Sequence, residues 1–185
     1  MARVKYLILL VLGALALATV ASGAASETGV TSTQVTIGGT TPLSGPASAY
    51  QSVAKGAAAY FRYVNAKGGV NKRKINYIYK DDAYDPSKTV DATRELVSQD
   101  KVFAIFNSLG TDQNLATRAY LNALKVPQLF VASGATTFGN DYKKYPYTIG
   151  YQPNYRAEGT IYGRVIQALE QFRALATHED QGRPQ

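Results

Sequence analysis

Four short stretches of this chain are rich in the residue types that bind an anion: Thr41–Tyr50 (TPLSGPASAY), Asp81–Ser87 (DDAYDPS), Asn107–Asn114 (NSLGTDQN) and Ala132–Asn140 (ASGATTFGN). Three of the four combine Gly with Ser or Thr. Glycine lets a backbone come close to a guest, while hydroxyls and amide N–H groups point at an acceptor. A carboxylate is the natural guest. The same residues also dominate ordinary turns, so composition alone leaves both readings open. Tyr50 either walls a pocket with its ring or simply packs, as most of the 14 tyrosines must.

Other chemistries lack their parts. With no Cys and a single histidine, His178, the chain holds no disulfide, thiolate metal site, His-based triad or multi-His metal centre. Asp81, Asp82 and Asp85 lack the alternating spacing and central Gly of a calcium loop, and Asp85 before Pro86 reads as a helix cap. No Walker motif, GxGxxG or GxSxG occurs. A small secreted α/β hydrolase using Ser44 or Ser133 would need a base, and none has a recognisable context. We therefore expect no catalytic residue, no metal and no cofactor.

The loops must be held by something, and the patterning says what. Gln34–Thr40, Ile75–Lys80, Val102–Phe106 and Gln128–Ala132 read as strands. Between them lie three helices. The first has Val53, Ala57, Tyr60, Phe61 and Val64 on one face and stops at Gly68-Gly69. The second opens at Asp85-Pro86 and buries Val90, Thr93, Leu96 and Val97. The third buries Leu115, Ala116, Ala119, Tyr120, Ala123 and Leu124 and ends before Pro127. A fourth helix is expected near 156–172, then a polar tail from about Ala174. Strands alternating with helices imply an α/β fold: an open, mostly parallel sheet with helices on both faces. The four loops then meet at the carboxyl edge, where helix N-termini also point.

At 185 residues and 45% hydrophobic, the chain can bury one sizeable core. Arg3 and Lys5, the apolar run from Tyr6 to Ala18, and small residues through Ala25 read as a secretory signal peptide cleaved near residues 21–26. A membrane anchor would need about 20 apolar residues. Removing 1–25 takes away two basic residues and no acid, so the formal charge of +7 becomes +5. The rest is scattered, with Lys72-Arg73-Lys74 as the one tight run, and no nucleic-acid partner is expected. Residues 26–32 read as a polar linker.

The loops also carry a resemblance. PLSGP (42–46) with Tyr50, NAKGGV (65–70), INYIYKDDAYDP (75–86), FNSLGT (106–111), VPQLFVASGAT (126–136) and GYQPNYRAEG (150–159) occur in the order and spacing of one family. Over residues 33–166 the chain resembles the leucine/isoleucine/valine-type substrate-binding proteins of bacterial ABC importers, in the type I periplasmic-binding family. The resemblance implies two hinged α/β lobes closing on an amino acid or small carboxylate. Tyr50 would line the pocket beside Ser44. Leu109, Gly110 and Thr111 would contact the carboxylate, and Gly134 and Thr136, flanked by Ser133 and Ala135, would hold the head group. Gly110 stands where the family often has Ser. Family members are longer, so the chain reads as a truncated N-terminal lobe with the second lobe absent and an atypical tail over 167–185. The resemblance further implies a non-enzymatic, monomeric, periplasmic or secreted protein serving an ABC permease. A sensor or receptor domain of the same fold is the alternative.

Overall fold

A computed structural model describes residues 27–181, with side chains to 173. The segment read as a signal peptide lies outside the described residues. Five strands form one sheet: β1 (Gln34–Thr41), β2 (Lys74–Asp81), β3 (Ala104–Phe106), β4 (Gln128–Val131) and β5 (Thr148–Gly150). Their order is β2-β1-β3-β4-β5, and every pairing is parallel. The helices are α1 (Ser52–Ala66), α2 (Pro86–Ser98), α3 (Thr111–Ala123), the single turn α4 (Thr137–Asn140) and α5 (Tyr155–Gln181). Right-handed crossovers put α1, on the β1-to-β2 connection, on one face and α2 and α3 on the other.

The core lies under α2 and α3. Leu96, Val102, Ile105 and Leu121 are buried there, with Ile78, Val97, Tyr120 and Val126 packed around them. On the α1 face, Phe61 meets Tyr77 and Phe106 edge-on at 5.5 and 5.4 Å between ring centres. Helix α2 begins as its sequence dictates. The Asp85 carboxylate accepts from the Ser87 and Lys88 amides at 2.7 and 3.2 Å, with proline at the first helical position.

Several expectations need correction. Tyr60, placed on the buried stripe of the first helix, is exposed. Helix α3 is turned round: Gln113, Asn114, Thr117, Arg118 and Leu121 are buried, while Leu115, Ala116, Ala119, Ala123 and Leu124 face outward. Burial of that polar face is tolerated because its groups are bonded. Asn114 Nδ2 donates to the Ser108 and Gly110 carbonyls at 2.9 and 2.6 Å, and Gln128 Nε2 donates to Asn114 Oδ1 at 3.0 Å. Helix α5 is continuous to Gln181, past the end expected near 172, and β5 and α4 were not foreseen. Residues read as a linker fold back on the start of β1: the Gly29 carbonyl accepts from the Thr36 amide at 2.7 Å, and Val30 bridges Val35.

Half of the α1 face is open. Helix α1 packs mainly on β1 and β2, and Phe130, Ile149 and Tyr151 are exposed, with Phe130 lying between Phe106 and Tyr151. Phe130 has φ +55°, at an irregularity in the β4–β5 pairing. That conformation is unfavourable for a bulky residue. Its ring lies against Phe106 and Tyr151, at 6.0 and 6.3 Å between centres.

Candidate functional site

Order β2-β1-β3 makes the gap between β1 and β3 the topological switch point, where successive loops leave in opposite directions and an open sheet receives its ligand. The loops after β1 and β3 border this gap, and the loop after β4 joins them. Ser108, just after β3, ties its stretch to both neighbours, its Oγ accepting from the Thr40 amide at the end of β1 at 2.9 Å and its carbonyl accepting from the Ala132 amide after β4 at 3.0 Å.

The sequence-selected residues fall into one group and one outlier pair. Leu109 bridges Ala132, and Thr111 Oγ1 lies 2.6 Å from Ser133 Oγ, so 109–111 and 132–136 form one rim. Not all of their amides are free. Leu109 donates to the Thr40 carbonyl at 3.3 Å, Gly110 to Ala132 at 3.2 Å, Ser133 to Val131 at 2.9 Å, and Ala135 to Ser133 Oγ at 3.2 Å. The amides of Thr111, Gly134 and Thr136 have no partner among the described residues. Thr111 opens α3, so its N–H is one of the unpaired donors at the positive end of a 13-residue helix.

Gly110 caps that helix at φ +104°, in a region that favours glycine. A Cβ there would come 2.1 Å from Gln113 Oε1, so the Gln113 side chain fills the space that any larger residue would take. Gln113 Nε2 in turn donates to the Tyr84 carbonyl at 2.7 Å. The loop after β4 is held from below by Arg118. This buried guanidinium donates to Thr137 Oγ1 at 2.9 Å, pairs with Asp141 at 3.2 Å, and stacks 3.9 Å from the Tyr145 ring centre.

Ser44 and Tyr50 sit across the gap. Ser44 Oγ donates to Asp81 Oδ2 at 2.5 Å, so its proton is committed to that carboxylate. Tyr50 is 60% exposed and follows in a short 3-10 turn, Ser48–Gln51. Two further tyrosines join it that sequence reasoning did not select. Tyr155 donates its amide to the Gly134 carbonyl at 2.7 Å and lays its ring over Gly134, so that a Cβ added there would meet ring carbons at 2.6 Å. Tyr84 is pushed above the usual phenol range by burial, and further by Tyr155, Asp112 and Tyr50. The Tyr84 ring lies beside Gly110, where an added Cβ would meet it at 2.9 Å, and the Tyr155 ring lies over Gly134, so both border the rim, with Tyr50 near enough to act on Tyr84 electrostatically. Their only sequence signal was aromatic placement at the loop ends.

The acidic loop is occupied with structural work. Asp82 is fully buried, accepting from the Tyr84 amide and Thr89 Oγ1, both at 3.0 Å, and burial pushes its carboxyl up. Among the described residues no group of three or more His, Cys, Asp or Glu is placed to hold a metal. No helix there is long and apolar enough to cross a membrane.

Fold and rim together define an α/β lobe with a polar rim at the carboxyl edge of its parallel sheet. The chain belongs to the periplasmic binding protein family, whose model matches residues 34–178. It is 32% identical over 83 residues to the "Leu/Ile/Val-binding protein homolog 2" of Brucella abortus, which covers 43% of this chain and 22% of that protein. A "possible leucine/isoleucine/valine-binding protein" from Rhodopirellula baltica shares the fold, with TM-score 0.67 and 24% identity over 74% of this chain and 36% of its own. The "fatty acid ABC transporter substrate-binding protein" of Thermomonospora curvata superposes with TM-score 0.55 and 29% identity, over 60% of this chain and 28% of its own. The chain thus spans about a fifth of the length of the curated relative and about a third of the solved structures.

Proposed function

We propose that this chain is the N-terminal lobe of an exported solute-binding protein that delivers an amino acid or small carboxylate to an ABC permease. The observation carrying this reading is the convergence at one rim of the unpaired Thr111, Gly134 and Thr136 amides with the Thr111–Ser133 hydroxyl pair. Two hydroxyls joined by one hydrogen bond keep one proton uncommitted, and Ser133 Oγ uses a lone pair to accept from the Ala135 amide. Three amides and one hydroxyl suit the lone pairs of a carboxylate. Tyr50, Tyr84 and Tyr155 supply an aromatic wall for what is attached to it. Relatives described as binding Leu/Ile/Val and fatty acid support the same chemistry, since all of these ligands carry a carboxylate beside apolar carbon.

The lobe performs binding and no covalent step. Ser44 and Ser133 lack a base, and the hydroxyl of Ser44 is held by Asp81. Export follows from the basic, apolar and small-residue order of residues 1–25. A second lobe would close over the rim and complete the surface that a permease reads. Alone, this lobe offers half the contacts and no closure, so its affinity is millimolar rather than micromolar. Calorimetric titration with leucine, valine, a short fatty acid and the matching primary amides tests it. The carboxylates bind weakly and the amides do not. Equal binding of acids and amides, or micromolar affinity, overturns the reading.

A further inference from the structure

One carboxylate in the acidic loop does more than its neighbours. Asp81 ends β2, and its Oδ1 accepts from the amides of Leu43, Ser44 and Ala83 at 2.8, 3.2 and 2.9 Å. Its Oδ2 accepts from Ser44 Oγ at 2.5 Å. Two of those amides and the hydroxyl belong to the loop after β1, 37 and 38 residues away. That loop has few other ties. Its remaining backbone bonds are the local Leu43-to-Thr41, Ser48-to-Gly45 and Tyr50-to-Ala47 contacts and, at its base, the Asp82 amide donating to the Thr41 carbonyl at 3.2 Å. It carries Ser44 and delivers Tyr50 to the mouth.

We infer that Asp81 is the positioning residue of the site: its ionised carboxylate fixes the loop bearing Ser44 and Tyr50, and protonating it loosens that jaw. This rests on the function proposed above. Four donors converge on one carboxylate, and a neutral acid would present a proton to one of them. The same donors, Ser44 Oγ foremost, hold the Asp81 carboxyl below the usual carboxylate range. Above that range the loop is pinned, and as pH falls through the depressed value the pin is lost. The adjacent Asp82 feels the Asp81 charge, which adds to the effect of its burial, and its own carboxyl is turned toward the Tyr84 amide and Thr89. No lysine or arginine pairs with Asp81 among the described residues.

The test has two arms on the full chain. In the first, amide exchange at Leu43 and Ser44 is followed by NMR while pH is lowered, for wild type and Asp81→Asn. Protection at both amides falls in acid in the wild type and is roughly tenfold lower at neutral pH in the variant, the size of one charge-assisted bond. Protection that ignores both pH and substitution overturns the proposal. In the second arm, leucine is titrated across the same range. Affinity weakens in acid for the wild type, and in Asp81→Asn it is several-fold weaker and flat. A variant matching the wild-type affinity and pH profile also overturns it. Leucine failing to bind wild type sinks the proposed function instead, and the exchange arm then decides the pin alone. Should Asp81→Asn not fold, the wild-type exchange profile and Ser44→Ala, which removes one of the four donors, supply the same decision.

Discussion

Thr111 Oγ1 stands 2.6 Å from Ser133 Oγ, joining the first residue of a helix to a loop 22 positions along the chain. This short contact makes the rim a single object. One bond uses one of the two hydroxyl protons, so one proton stays available whichever of the two donates. Thr111→Val and Ser133→Ala should therefore each weaken carboxylate binding by about tenfold or more, the cost of one hydrogen bond to a charged group. Calorimetry on each variant, with circular dichroism to confirm an intact fold, checks it. Wild-type affinity in both variants would remove the pair from the site.

Gly134→Ala tests the packing under Tyr155. The new methyl would lie 2.6 Å from ring carbons and 2.8 Å from the Pro153 carbonyl oxygen. The ring can swing aside, but the carbonyl is backbone. Overpacking of this kind costs about 1–3 kcal/mol. A thermal melt should show Tm lowered by several degrees, together with weaker ligand binding because Tyr155 is displaced.

Asp82 has the opposite sign from Asp81. Burial raises its pKa, so between the unfolded value and the folded one the native state holds the proton more tightly. Stability contributed by this group is greatest in acid and declines as pH rises through the raised value. Asp82→Asn should flatten that decline, seen in urea melts between about pH 3 and about pH 7. The amide can still accept from the Tyr84 N–H and donate to Thr89 Oγ1, which already donates to the Asp85 carbonyl at 2.9 Å. Neutral-pH stability should stay within about 1 kcal/mol of wild type.

The uncovered half of the sheet makes a surface prediction. Phe130 and Tyr151 are exposed and stand edge-on in a row with Phe106, and Ile149 is exposed on β5, whereas parallel sheets ordinarily have both faces covered. The purified chain should enhance the fluorescence of an apolar dye. The double variant Phe130→Ser with Tyr151→Ser should cut that signal by at least about half, on the area two aromatic rings contribute.

Much of the frame was legible because local signals agreed with the fold. Alternation in INYIYK, the apolar runs before Asn107 and Ala132, and the Asp85-Pro86 cap each mark an element that the structure contains. The third helix was legible in extent and not in orientation. Hydrophobic periodicity assumes that the apolar stripe goes inward, and here Asn114, Thr117 and Arg118 go inward because Ser108, Gln128, Thr137 and Asp141 meet them. Such partners lie 6 to 23 residues away and leave no trace in a local window. β5 and α4, of three and four residues, were too short to show a period. At the site, Gly and hydroxyl chemistry marked the right loops, but which amides stay unpaired depends on strand register. Tyr84 and Tyr155 reach the mouth only through the chain geometry that brings their loops together.

The reversal of winding at β1 has a consequence for how the molecule is made. The parts of the rim come from successive connections, and the last of them, which brings Tyr155 onto Gly134, follows all five described strands. A nascent polypeptide that has not yet released Thr136 from the ribosome possesses Tyr50 and Asp81 but lacks the 132–136 side of the rim. The rim is thus completed only after the residues of the hydrophobic interior beneath α2 have all been made.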